Sequence, residues 1–569
     1  MFQCITEINP FDKSQILGRG LRIDAEPRRS INLLLVIILL SFFVFFFVQA
    51  ESAMRTAPLY DFDEAHRAET AKRMKEYKSF FVPLTGSVYD RVETLKIPFR
   101  EDPNLFLYYH LERPPLIYML MIASTTIFGD TEWAYRLPSF LLGMSMLIGF
   151  VVFAKIVNKN IKLSAMLVGL LALVTSSDLW LSSQYAQLDT GISLFLFLSL
   201  LTLIAYCVQK KIIFIITSGI FFALSVLAKG QPSILLMFPL LYLFTTKKLS
   251  RSDIVKLLCA AGIVLAPWIL YLLFTFGLGN IINTFFGFAI ATATQKDFDH
   301  TVPFFWYVRW WFVTLRPGFI LFLVLIAYDS IKGKLNLQRK ILLIYIFGGL
   351  LFFSLFENKF WWYVLPLIPA MSFYVFLSVN DMMNDKKNMS KIACILILAS
   401  IPVFHTTSNI ISMLYGGIIT GISLLIMFSA RFEKALIYLK IIRISPYLLM
   451  FSFASSLVFF SQHFPRVAPH NMAEKPIALA YKDLPDLKCL WFKDMPSEAI
   501  LFYSNAGSVR EFTENSNLFP HCQNYLITPT DIKNDNGTYR DNINKTHYIR
   551  NGDVIKEIGN LKLVRLPSN

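Results

Sequence analysis

The chain has 569 residues, 55% hydrophobic and only 16% charged, with a formal net charge of +15. A soluble globular chain carries about 25% charged residues, so an ordinary soluble domain is excluded. In a chain this apolar the basic excess marks cytoplasmic loops. It does not mark nucleic-acid recognition, and no DNA- or RNA-binding motif is present.

Residues 1–30 are polar and include Lys13, Arg19, Arg22, Arg28 and Arg29. An apolar run at 31–49 follows with no small-residue cleavage site, which predicts a retained anchor with a cytoplasmic N-terminus. Further apolar runs fall at 137–155, 163–177, 190–208, 212–228, 232–246, 254–276, 318–331, 341–356, 361–380, 391–406, 413–429 and 446–462. With the first, they predict about 13 spans. Alternating from an inside N-terminus gathers Lys155, Lys210, Lys211, Lys247, Lys248, Lys332, Lys334, Lys386, Lys387, Arg431 and Lys434 into inside loops. The outside loops carry few basic residues.

That alternation holds only if 115–128 does not cross, so this run is predicted to lie at the membrane surface. An odd number of spans then puts 463–569 on the outer face. The predicted organisation is a cytoplasmic segment 1–30, a transmembrane domain 31–462 that includes an outer loop 50–136, and an outer C-terminal domain 463–569. In that last segment 499–503 and 562–566 read as strands of a small α/β domain. None of the six cysteines forms a CxxC pair. Cys489 and Cys522 fall in the C-terminal segment and form a candidate disulfide if it is exported.

Polar groups at the mouths of apolar helices are costly to place there and invite a functional reading. The acidic cluster Asp61-Phe62-Asp63-Glu64 precedes a predicted helix over 64–77. Ala65, Ala68, Ala71 and Met74 give that helix an apolar stripe suited to a membrane surface. The plain reading of Asp63 and Glu64 is helix capping. His110-Leu-Glu-Arg-Pro-Pro115 sets Glu112 and Arg113 just before the surface helix, where the plain reading is an interfacial salt bridge. Asp189 opens a span, as an N-cap would. Lys229 stands in a tight outer turn, where it suits a phosphate or simply snorkels. His300 lies in the outer loop 277–317. Lys359 and Tyr363 open another span, where aromatic residues alone fit an interfacial belt. Loop charge places all of these groups on one face. Carboxylates, cations and aromatics converging at a membrane surface suit a lipid-phosphate substrate.

These motifs resemble the GT-C superfamily of glycosyltransferases, in particular the bacterial branch that includes lipid A aminoarabinose transferases and relatives of protein O-mannosyltransferases. Asp63-Glu-Ala-His-Arg-Ala-Glu69 is similar to a family Asp-Glu motif followed by Arg-Tyr-Ala-Glu, with His66 in place of Arg and Arg67 in place of Tyr. His110-Leu-Glu-Arg-Pro-Pro115 resembles Tyr-Phe-Glu-Lys-Pro-Pro, with Arg113 replacing Lys. Arg136-Leu-Pro138, Lys229-Gly230 and the stretch from Ser354 to Pro366 match further elements in order.

The resemblance implies an all-α polytopic GT-C fold with outer juxtamembrane helices and a small α/β C-terminal domain. It also implies inverting transfer of a sugar, such as 4-amino-4-deoxy-L-arabinose, from undecaprenyl phosphate to lipid A at the outer (periplasmic) face of a bacterial inner membrane, with another sugar or a protein or glycan acceptor as the alternative. Asp63 and Asp189 become the catalytic carboxylates. Glu64, Arg67, Glu112, Arg113, Lys229, His300, Lys359 and Tyr363 become the lining that holds donor phosphate and substrate. A divalent metal on Asp63 and Asp189 is a further option, and no cofactor is fixed. Asp63 is a base if the acceptor is a hydroxyl, and a positioning group if it is an ionised phosphate. A lipid-linked sugar transporter is the competing class, but no inverted repeat is visible.

Overall fold

The computed structural model describes residues 63–86, 95–98, 106–294 apart from 159 and 175, 302–384 apart from 316 and 317, and parts of 40–59 and 474–566. Among these, six helices are long and apolar enough to cross a membrane: Glu132–Val157, Asp189–Gln209, Ile212–Lys229, Arg251–Phe285, Leu337–Ser354 and Trp361–Met382. Each coincides with a predicted span, and the protein is a multi-pass membrane protein. The predicted runs 163–177, 232–246 and 318–331 form shorter elements, namely Leu163–Val174, a 3-10 turn at Gln231–Leu236 leading into Met237–Thr245, and Gly318–Ile331. The runs 391–406, 413–429 and 446–462 lie outside the described residues, as does most of 31–49.

Helix α1 spans Asp63–Tyr77. A small antiparallel sheet follows, in the order β1 (Leu84–Thr85), β3 (Phe106–Tyr109), β2 (Lys96–Pro98). It leads into α2, Leu116–Phe128, which begins at the Pro-Pro pair. At 1.5 Å per residue, α2 is about 20 Å long, short of a hydrocarbon core of about 30 Å. Its Ile117, Tyr118 and Met121 are fully buried, whereas Ile127 and Phe128 at its end are exposed.

Helix α1 departs from expectation. Ala65, Ala68, Ala71 and Met74 are buried, but so are Arg67, Glu69 and Arg73 on its other faces. The alanine stripe packs on protein, not on lipid. Alanine offers little apolar area to a bilayer, and its small size lets neighbouring elements approach closely.

In the C-terminal segment β7 (Ile532–Lys533) pairs with β8 (Tyr539–Arg540), and five other strands form one sheet in the order β5-β4-β6-β10-β9. Strand β4 (Lys488–Phe492) runs parallel to β5 (Val509–Glu511) and β6 (Gln523–Pro529). Strand β10 (Leu561–Arg565) is antiparallel to β6 and to β9 (Asp553–Ile558). The predicted strand at 562–566 is therefore present, but 499–503 is helical, within Glu498–Ser504. Alternation gave way there because Ala499, Ile500, Leu501, Phe502 and Tyr503 are all buried, on more than one face. Cys489 on β4 is disulfide-bonded. Its predicted partner, Cys522, lies outside the described residues.

Candidate active site

The N-terminus of α1 is fixed first. Arg136, near the start of the span Glu132–Val157, is fully buried and grips Glu64 with two bonds, Nε to Oε1 at 2.7 Å and Nη2 to Oε2 at 2.8 Å. The same guanidinium donates to the carbonyls of Met54, Ala57 and Pro58 at 2.8–2.9 Å. Glu64 Oε1 also accepts from the Ala186 amide at 2.9 Å. Glu64, predicted as a substrate ligand, is thus a brace between α1 and two neighbouring segments. A fully buried bidentate pair is costly to break from one side only.

Asp63 is the first residue of α1 and is partly exposed, unlike its neighbour. Arg67 lies one turn on, with Nη2 3.1 Å from Asp63 Oδ1. Burial pushes the Asp63 carboxyl up, but Arg67, Arg113, Lys229 and His66 together outweigh it and hold the group below its ordinary value. Asp63 is therefore ionised.

The opposite wall comes from the junctions of two spans. Asp189 is the first residue of Asp189–Gln209, and its Oδ1 is ion-paired with Lys229 at the end of Ile212–Lys229. As the first helical residue it caps nothing. Its side chain leaves the helix end to meet the lysine. Gly230 makes that corner with φ +81°, a conformation L side chains avoid, and a Cβ there would meet Pro114 at 3.4 Å. The Lys229 turn therefore lies within van der Waals reach of the Pro-Pro element. The Lys229 ammonium lies 5.6 Å from the centroid of the Tyr363 ring. That ring is within electrostatic reach of both Asp63 and Asp189.

Between β3 and α2, Glu112 and Arg113 complete the group. Glu112 accepts from His110 Nδ1 at 2.9 Å and lies 3.6 Å from Arg113 Nε. Burial raises the Glu112 carboxyl, but His110 and Arg113 overcome this and hold it below its ordinary value. The His110 and His66 rings meet edge to face at 5.9 Å.

Asp63, Arg67, Glu112, Arg113, Asp189, Lys229 and Tyr363 thus converge from five places in the sequence. Lys359 does not join their ion pairs. It donates to the carbonyls of Val302 and Phe356 at 3.1 and 2.6 Å and closes its own loop. His300 and Asp61 lie outside the described residues. The sequence reading passed over His66 and His110 as ligands. Their only signal was that both stand where the resembling motifs carry another residue.

A divalent metal shared by Asp63 and Asp189 does not fit the pairing of these two groups. No cluster of three His, Cys, Asp or Glu side chains suited to an ion occurs among the described residues. Asp189 is committed to Lys229, and Asp63 sits among cations that oppose a second positive charge.

Three features are distinctive for chemistry. Arg67 is 4% exposed, yet its Nε and Nη1 have no hydrogen-bond partner among the described residues. Asp189 Oδ2 is likewise buried and unpartnered. Finally, the three cations Arg67, Arg113 and Lys229 crowd one carboxylate that keeps an open face. Buried unmet donors beside a partly open acid make a site prepared for an anionic, hydrogen-bonding ligand.

Fold and site together define a multi-pass membrane protein of the GT-C fold. Residues 112–271, from Glu112 and Arg113 through Asp189 and Lys229, match the family described as dolichyl-phosphate-mannose-protein mannosyltransferase. The chain is similar in fold to the crystal structure of ArnT from Cupriavidus metallidurans in the apo state, with TM-score 0.60 and 14% identity over 94% of this chain and 98% of that one. The same protein bound to undecaprenyl phosphate matches with TM-score 0.60 and 14% identity, over 93% of this chain and 97% of that one. No curated protein sequence matches the chain.

Proposed function

We propose that this protein is an inverting glycosyltransferase. It moves a sugar, such as 4-amino-4-deoxy-L-arabinose, from undecaprenyl phosphate to lipid A or another acceptor at the periplasmic face of a bacterial inner membrane. The observation that carries this reading is the convergence of Arg67, Arg113 and Lys229 on Asp63, with unmet Arg67 donors between them. The fold shared with a protein crystallised with undecaprenyl phosphate supports the choice of donor. The disulfide at Cys489 supports an exported C-terminal domain, because disulfides persist in oxidising compartments.

The leaving group gains charge on its phosphate oxygens as the sugar–oxygen bond breaks. Arginine and lysine donors placed beforehand stabilise that charge, and Arg67 and Arg113 can bind in bidentate fashion. Asp63 and Asp189 face the sugar, where a carboxylate suits a positively polarised reacting carbon or an amine.

The test is direct. The purified full-length chain binds undecaprenyl phosphate, and mass spectrometry of lipid A from cells with and without the gene shows a mass difference of one sugar. An unchanged lipid A profile redirects the acceptor to another glycan or a protein. Absence of undecaprenyl phosphate binding sinks the reading. A cysteine placed at position 130 labels from the periplasm. Labelling from the cytoplasm overturns the topology.

A further inference from the structure

We propose that His110, oriented by Glu112, is the base that deprotonates the acceptor, and that the acceptor group is therefore a hydroxyl. The inference rests on the transferase reading above and narrows its acceptor chemistry.

Tautomer comes first. An ionised carboxylate only accepts hydrogen bonds, so the 2.9 Å contact between Glu112 Oε1 and His110 Nδ1 requires the hydrogen on Nδ1. In the neutral ring this leaves the lone pair on Nε2. A buried acid that fixes an imidazole in this way is the arrangement that prepares histidine as a general base. His110 is 2% exposed, and its Nε2 has no hydrogen-bond partner among the described residues. The backbone holds the ring in place, with the His110 amide donating to the Pro83 carbonyl at 3.0 Å and its carbonyl accepting from the Arg113 amide at 3.3 Å. The charged and titratable groups facing it are Glu112 and Arg113 on its own turn, and His66 on α1, which also carries Asp63 and Arg67.

Charge gives the second support. Asp63, Glu112 and Asp189 match Arg67, Arg113 and Lys229 one for one. Asp63 is surrounded by cations that stabilise its ionised form, which makes it a poor proton acceptor.

In the step itself the acceptor oxygen forms its bond to C1 of the sugar from the face opposite the phosphate. The C1–O bond to phosphate breaks, and its electron pair remains on the phosphate oxygen. The acceptor proton moves to His110 Nε2. The phosphodiester becomes a phosphomonoester with one more negative charge, and the imidazolium formed supplies one compensating positive charge. An already ionised phosphate acceptor would have no proton to give and no use for this pair.

The experiment uses the full-length protein, polyprenyl-phosphate-linked sugar extracted from native membranes as donor, and lipid A either intact or stripped of phosphate as acceptor. We expect transfer to the stripped acceptor, which offers only hydroxyls. We expect His110→Asn to lower kcat about 100-fold or more, to remove the acid limb of the pH–rate profile, and to leave undecaprenyl phosphate binding within about twofold. Imidazole added to His110→Gly restores part of the rate, which separates a base from a packing group. Transfer confined to the phosphate-bearing acceptor overturns the inference, as does His110→Asn activity within about threefold of wild type with the acid limb intact. Loss of undecaprenyl phosphate binding in the wild type defeats the transferase reading itself, a different result from either.

Discussion

Two arginines on one short helix end up in opposite situations. Arg73 is 1% exposed, and its guanidinium is fully used, with Nε to Glu69 and Nη1 to Glu76 at 2.9 Å each and Nη2 on the Ala506 carbonyl. Arg67, less than two turns earlier, is almost as buried but makes one ion pair, to Asp63, and leaves two donors unmet among the described residues. Both took the same desolvation cost. At Arg73 the protein recovers that cost within itself and gains rigidity. At Arg67 it leaves the recovery to something that arrives. On α1, Arg73 and Glu64 belong to the scaffold, and Arg67 with Asp63 to the candidate site.

Mutation can break or sharpen that contrast. The largest effect is expected for Asp63→Asn, which abolishes transfer, by about 1000-fold or more, while expression and detergent-solubilised yield stay normal. Wild-type turnover in a purified assay refutes the role of Asp63. Next comes Arg67→Gln, expected to weaken undecaprenyl phosphate binding and lower kcat/KM about 100-fold, with a melting temperature unchanged or slightly raised. Arg73→Gln should do the reverse, because it strands Glu69 and Glu76. A loss of about 3–5 kcal/mol is typical of breaking a buried pair from one side, so yield and melting temperature fall while the surviving folded fraction keeps its activity. Glu64→Gln belongs with Arg73, not with Arg67, since it half-empties the Arg136 grip. If Arg67→Gln and Arg73→Gln lower stability equally, the division of α1 into site and scaffold is wrong.

The smallest effect is on pH. The Asp63 carboxyl is held below its ordinary value in the folded protein. Its contribution to stability is therefore complete above the unfolded aspartate pKa of about 4 and is lost as pH falls through the depressed folded value. Thermal melts from pH 6 downward should show a shallower acid slope in Asp63→Asn than in wild type.

Much of this was legible in the sequence. Loop charge and run length found six spans that the described residues confirm, because the need to satisfy a helix in lipid leaves a long, unbroken apolar signal. Asp63, Glu112, Arg113, Asp189, Lys229 and Tyr363, which the structure brings together, were also singled out in the sequence, since polar groups at a helix mouth are expensive and stand out. What could not be read is how those charges divide among partners. Glu64 and Arg136 are 72 positions apart, and only folding shows that they satisfy each other. Lys359 looked like a phosphate ligand because it lies beside aromatics, but two nearby carbonyls claim it. Helix α1 was misjudged for a related reason. Ala65, Ala68, Ala71 and Met74 suggested a stripe for a membrane surface, and burial of the charged faces beside it becomes visible only when the groups that neutralise them are known.

The C-terminal segment completes α1 and its approach from the far end of the chain. Lys72 donates to the Phe502 carbonyl at 3.1 Å across 430 positions, and the Tyr503 hydroxyl accepts from the Leu59 amide at 2.8 Å across 444. At about 5–20 residues per second of synthesis, α1 waits roughly 20–90 s for the segment that clamps it. Throughout that interval the Lys72 ammonium and Arg73 Nη2 lack their C-terminal acceptors, the carbonyls of Phe502 and Ala506. The late-made helix Glu498–Ser504 therefore sets when α1 gains its last bonds.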